Sequence, residues 1–360
     1  MKDPVRIQSP DDPALDELCG RLAEAAGDLD RTGAWPAEQL RLCAEYGVFR
    51  WFVPREWGGL DWSDIDVVRG YLKLSAACLT TTFIITQRTG ACRRIAGSDN
   101  EAIKARLLPD LADGRTFATV GISHLTTSRR HLGSPVLSAR ESTDGFVLDG
   151  FSPWVTGAKH ADMIVTGATM DDGREILAVV PMDTPGVAAR EPEHLVGVSA
   201  SATGAVDMRD VRLAVELLLD GPVENVMRKG KGAGPGGLQT STLAVGLASA
   251  AVSFIEGESQ KRPELAPPAA ALRAEQQRLQ ERLLSATEGS CHDEVDPIRV
   301  EANSLALRAA QAALGAAKGT GYVVGHPAGR WCREALFFLV WSCPQPVLSA
   351  NICQLAAIQG

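Results

Sequence analysis

The residues from Gly319 to Val347 decide how this chain is read: Gly319-Thr-Gly-Tyr322, Val-Val-Gly-His-Pro-Ala-Gly, Arg330-Trp-Cys-Arg333-Glu334-Ala335, Leu-Phe-Phe-Leu-Val-Trp341, then Ser342-Cys343-Pro344-Gln-Pro346-Val347. A Gly-x-Gly-aromatic turn comes first, then a Pro. An Arg-x-x-Arg-acidic-Ala step and an apolar helix follow at fixed offsets. The last helices are expected over 328–341 and 345–357.

Upstream, the chain reads as helical back to 235. Residues 238–255 are rich in Ala and Leu and are expected to be central. Three prolines within 259–268 make a break. Leu272, Leu279 and Leu283 mark an amphipathic helix with an Arg/Glu/Gln outer face. After a polar loop over 287–297, Ile298, Ala302, Leu305, Ala309 and Ala313 mark another. Its small residues allow a neighbour to approach closely.

From 116 to 220 the pattern changes to strands. The runs 136–141 and 146–151 flank Asp144-Gly145, and 164–168 and 175–181 flank Asp172-Gly173. Asp-Gly between strand-like runs is a strong hairpin signal, because a primed turn needs positive φ at both central residues. With 205–213 these hairpins predict a small antiparallel barrel or sandwich. Residues 11–112 read as helical. Leu15, Leu18, Leu22, Ala25 and Leu29 recur at spacings of three and four. Trp35-Pro36 opens a second helix, and Gly47 is a natural stop. Two apolar helices are expected over 63–97 and a shorter one over 100–111. The expected class is therefore α+β, in three domains: N-terminal helices over 1–115, a central β domain over 116–222, and a four-helix-bundle-like domain over 223–360.

A chain of 360 residues exceeds one ordinary core, and its 45% hydrophobic content suits a soluble globular protein. The net charge of −8 and the absence of a basic block argue against a nucleic-acid partner. No apolar run approaches the ~18 residues of a membrane span. The polar Met-Lys-Asp-Pro start lacks the apolar core of a signal peptide. The eight cysteines form no Cys-x-x-Cys pair, which favours reduced, mostly buried thiols, no zinc site and a cytoplasmic setting.

The succession 319–347 resembles the C-terminal region of the acyl-CoA dehydrogenase family. Val53-Pro-Arg-Glu-Trp-Gly58-Gly59 is similar to its "Val-Pro-Glu-x-x-Gly-Gly" turn, and Leu108-Pro109-Asp-Leu-Ala-Asp-Gly114 to its "Leu-Pro-x-Leu-Ala-x-Gly" phrase. Pro153-Trp154-Val155-Thr156-Gly157 resembles its "Trp-Ile-Thr-Asn/Ser-Gly" strand. The order helical, β, helical bundle agrees over nearly the whole chain. The resemblance implies FAD, an acyl thioester of CoA or a carrier protein as substrate, and a homodimer or homotetramer with FAD across a subunit boundary.

By the same resemblance, Trp154 packs near the flavin ring and Thr156 reaches its N5 edge, where negative charge grows on hydride transfer. The plain alternative is a buried aromatic and a strand Thr. The family's "Thr-Glu-Pro-x-x-Gly-Ser-Asp" segment is degraded here to Gly121-Ile-Ser123-His124-Leu-Thr126-Thr127, with Gly133-Ser134 beyond. Ser123, His124 and Thr126 are candidate flavin or substrate neighbours. His124 could also serve as acid or base, against the plainer reading of a solvated loop side chain. Arg262 stands where the family's "Arg-x-x-Phe-Gly" sends an Arg to the flavin pyrophosphate, with Leu265 and Ala266 replacing Phe and Gly. Gly319 and Gly321 complete the implied cofactor set. Gly315 replaces a family Gln, which removes one nucleotide contact.

By register from Arg333-Glu334-Ala335, the family's catalytic Glu falls on Ser342. A hydroxyl cannot take an α-proton as a carboxylate does. An alternative family position, on an earlier helix, falls near Gly236-Gly237, with Gln239 the nearest polar side chain. Cys343, at a helix start, could be a nucleophile of lowered pKa or simply a small buried residue. Arg330, Arg333 and Glu334 read as a helix-surface or subunit-contact set. Three functions remain open: acyl-thioester dehydrogenation with a base from another position, reduced-flavin monooxygenation on the same fold, and a flavin-free paralogue serving as subunit or scaffold.

Overall fold

A computed structural model describes residues 6–126, 135–229, 237–289 and 295–358. Five helices open the chain: α1 (Pro13–Thr32), α2 (Ala37–Glu45), α3 (Asp64–Ala77), α4 (Leu79–Ala96) and α5 (Glu101–Asp113). Their ends are written locally. Asp12, Ser63 and Asn100 cap α1, α3 and α5 by accepting backbone N–H groups. Gly33 and Gly114 end α1 and α5 in the left-handed region. Helix α5 runs through Pro109 to Asp113, past the end expected from sequence.

The middle of the chain follows as β1 (Ala118–Gly121), the short helix α6 (Ser123–Thr126), β2 (Leu137–Ser142), β3 (Gly145–Val155), β4 (Met163–Thr169), β5 (Glu175–Pro181), β6 (Val187–Ala189), β7 (Gly204–Ala214) and β8 (Leu218–Val223). They form one eight-stranded sheet in the order β6-β7-β3-β2-β4-β5-β8, with β1 on β4. Both Asp-Gly hairpins are present, β2 to β3 and β4 to β5, and both are antiparallel. The sheet is not purely antiparallel: β4 pairs in parallel with β1 and with β2. Those pairings join strands distant in sequence, so no local turn signal announces them. Strand β3 runs to Val155, four residues beyond the 151 expected, and so carries Trp154.

The C-terminal part comprises α7 (Val226–Lys229), α8 (Leu238–Ser259), α9 (Ala266–Thr287), α10 (Val295–Ala317), α11 (Pro327–Leu336) and α12 (Gln345–Leu355). The expected proline break is shorter than 259–268, because α9 takes up two of the prolines in its first turn. Helix α10 already includes Val295, inside the expected polar loop. The helix expected over 328–341 stops at Leu336 and passes into a 3-10 turn, Phe337–Leu339. Helix α8 is long and apolar enough to cross a membrane by length and composition, yet 67% of that window is buried inside the protein. It packs between α3, α9 and α10, the position of a core helix. Gly246 lets α3 come close: a Cβ there would lie 2.7 Å from the Leu72 carbonyl oxygen.

Two apolar cores result. The larger joins α1–α5, one face of the sheet and α8–α11; the smaller, around Leu148, Ile164, Ile176 and Val206, belongs to the sheet alone. The architecture is thus N-terminal helices, a central sheet and C-terminal helices, as the sequence predicts.

Candidate functional site

A cavity of about 1050 Å³ opens where the three parts meet. Trp154 reaches it where β3 slips in register against β7, between Ser152 and Val155. In β3 the side chains of Ser152 and Val155 are fully buried, while Trp154 is 49% exposed on the cavity wall. Thr156, next along, also lines the cavity and belongs to a hydroxyl chain: its Oγ1 lies 3.1 Å from Thr203 Oγ1, which lies 2.8 Å from Ser201 Oγ. Gly157 then turns at φ +67, against the Trp35 ring, where any Cβ would collide at 2.6 Å.

Helix α6 supplies two more wall residues. Ser123 and Thr126, three apart, line the cavity. The Ser123 Oγ is buried without a hydrogen-bond partner. His124 turns the other way. It is 6% exposed, off the cavity wall, and its Nε2 lies 2.8 Å from the Gly167 carbonyl of β4. A carbonyl only accepts, so Nε2 carries the proton. Burial holds the His124 pKa below its ordinary value, so the ring is neutral. The solvated loop histidine expected from sequence is therefore a buried anchor of α6 on the sheet. Thr127, Gly133 and Ser134 lie outside the described residues.

Ser342 lines the same cavity, so it and Trp154 face one space. It sits at φ +47, a left-handed backbone that a non-glycine residue adopts at a cost. Two groups the sequence reading missed hold this turn. The fully buried Arg299 donates through Nη2 to the Trp341 carbonyl at 2.8 Å and the Phe338 carbonyl at 3.4 Å. Asn303 donates to the Phe338 carbonyl at 3.1 Å. Their only sequence signal is polarity at i and i+4 beside the apolar positions Ile298, Ala302 and Leu305 of α10. Burial lowers the Arg299 pKa to about 10. From above, Phe83 meets Phe337 and Trp341 edge-on at 4.8 and 4.9 Å.

The charged residues of α11 differ from expectation. Arg330 and Glu334 are not a surface set: they are 7% and 3% exposed and pair with each other at 3.6 Å. Arg333 reaches both carboxylate oxygens of Asp30 on α1, at 2.8 and 2.7 Å. Burial pushes the Glu334 pKa up to about 7, against the opposing pull of Arg330. Cys343 is no activated thiol: burial raises its pKa, and Arg299 only partly offsets that.

One carboxylate lines the cavity among the described residues: Asp64, whose side chain is 69% exposed and pairs with Arg93 at 2.7 Å. Gly237 and Gln239 line the wall at the start of α8, and Gly236 lies outside the described residues. Arg262, Gly319 and Gly321 do not line this cavity. Arg262 pairs with Glu258 and donates to the Ala316 carbonyl. Gly319 and Gly321 lie in the turn Lys318–Tyr322, where a Cβ on Gly321 would meet Ala317 at 2.6 Å. Among the described residues no cluster of three or more metal-ligating side chains occurs.

Comparison with known proteins gives a consistent answer. The family described as acyl-CoA dehydrogenase, N-terminal domain, matches residues 14–115. The probable acyl-CoA dehydrogenase YngJ of Bacillus subtilis is 26% identical over 336 residues, covering 87% of this chain and 88% of its own. Among solved structures, butyryl-CoA dehydrogenase from Megasphaera elsdenii superposes with a TM-score of 0.80 at 17% identity, covering 96% of this chain and 97% of that one. A nitrososynthase from Micromonospora carbonacea var. africana reaches 0.76 at 21% identity, covering 99% and 98%. Residues 14–115 thus match the acyl-CoA dehydrogenase N-terminal domain, and the whole chain, with its site between sheet and helices, has the fold of the acyl-CoA dehydrogenases.

Proposed function

We propose that this chain is a flavin-dependent oxidoreductase whose flavin occupies the large cavity. The wall suits such a group. It offers a half-exposed indole at Trp154, an unpartnered buried hydroxyl at Ser123, and about 1050 Å³ of space, at the upper end of the ~300–1,000 Å³ usual for ligand pockets. Trp154, Thr156, Ser123 and Thr126 are the proposed ring-side contacts. Arg262, Gly319 and Gly321 are the proposed nucleotide-side contacts of FAD, reached across a subunit boundary in a homodimer or homotetramer. When bound, the flavin would supply two-electron chemistry; the chain supplies orientation and exclusion of water.

One observation favours one reaction over the other. Ser342 stands on the wall, and the only carboxylate lining the cavity among the described residues is Asp64, exposed and tied to Arg93. Removal of an α-proton needs a base held against the α-carbon. The geometry therefore favours reduced-flavin monooxygenation, which has no such requirement. Acyl-thioester dehydrogenation with a base from another position is the second reading, supported by 26% identity to a probable acyl-CoA dehydrogenase over 87% of the chain.

The purified protein is expected to be yellow or to take up FAD. Under the first reading, anaerobic acyl-CoA leaves the flavin oxidised, and a reductase with NAD(P)H drives oxygen uptake. Anaerobic bleaching by an acyl thioester would instead establish the second. A folded chain that neither carries nor binds flavin would refute both and leave the scaffold role.

A further inference from the structure

A second cavity, of about 620 Å³, shares no lining residue with the first. The two lie on different faces of α4: Arg88 lines the second, Gln87 and Gly90 the first. One wall is aromatic. His160 lies flat on Trp35, with ring centroids 4.4 Å apart and planes 8° from parallel, and Phe117 meets Trp35 edge-on at 5.5 Å. Its charged residues are mostly basic: five arginines against Glu45, Asp113 and Asp162. Arg41, Arg50 and Arg115 are matched by carboxylates. Among the described residues, Arg6 and Arg88 have no ion-pair partner.

Arg88 is 1% exposed, so its charge is nearly dehydrated. It donates to the Thr116 carbonyl at 2.7 Å and to the Leu111 carbonyl, and its guanidinium lies 4.1 Å from the centre of the Phe49 ring. Its Nε and the Thr116 Oγ1, both in wall residues, are buried without partners. Buried polar groups are rarely left so. A cation beside an aromatic wall, with polar capacity unspent, is the chemistry of a ring joined to an anion. A bare anion would leave the aromatic wall unused, and a neutral ring would leave the charge unanswered.

We propose that this cavity binds a nucleoside monophosphate, its base against the Trp35–His160 wall and its phosphate toward Arg6 and Arg88. The site is independent of the flavin reading, and its test works with or without flavin. The full chain is titrated calorimetrically with AMP, adenosine and inorganic phosphate, both alone and at saturating FAD. AMP is expected to bind one per chain, about tenfold tighter than adenosine or phosphate. Trp35→Ala and Arg6→Ala, neither in the buried core, are each expected to weaken it by about fivefold or more, with an unchanged circular dichroism spectrum. Any of four results overturns the proposal: no saturable AMP binding, AMP no tighter than phosphate, AMP displaced by FAD, or binding that both substitutions leave unmoved.

Discussion

Ser342 concentrates the chemical question in one side chain. Its left-handed backbone already bears a cost of about 1–2 kcal/mol, so exchanging its side chain adds little strain. Ser342→Glu is expected to raise α-proton exchange of a bound acyl thioester by about tenfold or more, read as deuterium uptake in D2O. An unchanged rate in a folded, flavin-loaded variant would mean that the register from Arg333 is wrong. Glu334 makes a pH prediction. Its folded pKa, about 7, lies above the 4.5 of an ordinary glutamate. The native state therefore holds a proton that the unfolded chain releases. The stabilisation is full below the unfolded pKa and is lost as pH rises through the folded one. Denaturant titrations between pH 4.5 and pH 7 should show stability falling with pH, and Glu334→Gln should flatten that slope. An identical slope in the variant would assign the proton elsewhere.

At the scale of elements, contact between α3 and α8 depends on one missing side chain. Gly246→Ala puts a methyl 2.7 Å from the Leu72 carbonyl oxygen and 2.8 Å from Ser75 Cβ, with backbone on one side. The helices must separate, at a cost of about 1–3 kcal/mol, measurable as a lower urea midpoint. Alanine is the better helix former, so a variant as stable as the parent would show that the pair yields freely. The same elements show where sequence legibility ends. Apolar spacing marks α1, α9 and α10, and Asp-Gly marks both hairpins, because these signals are local. The β1–β4 pairing and the break after Leu336 carry no such mark, because partners from far along the chain impose them. The Phe83–Phe337–Trp341 cluster and the Arg299 clamp stand at that break.

At the scale of the whole molecule, one apolar core runs through the N-terminal helices, a face of the sheet and the C-terminal helices. Helix α8 lies on α3 across a long stretch of sequence, and Ser75 donates to the Leu243 carbonyl at 2.7 Å. A fragment ending at residue 229 would leave that face of α3 in water. It is expected to aggregate when made alone and to become soluble when co-expressed with 237–358; a monomeric, cooperatively unfolding fragment would contradict this. The sequence by itself determined the order of helices and strands, the resemblance to the acyl-CoA dehydrogenases, and the hydroxyl at position 342, since these lie in residue identity and short-range spacing. Only the tertiary structure decided that Trp154, Thr156, Ser123, Thr126 and Ser342 face one cavity, that His124 points away from it, and that Arg330 and Glu334 are buried together. Which way a side chain faces, and whether water reaches it, is fixed by packing between elements, and no run of neighbouring residues carries that information.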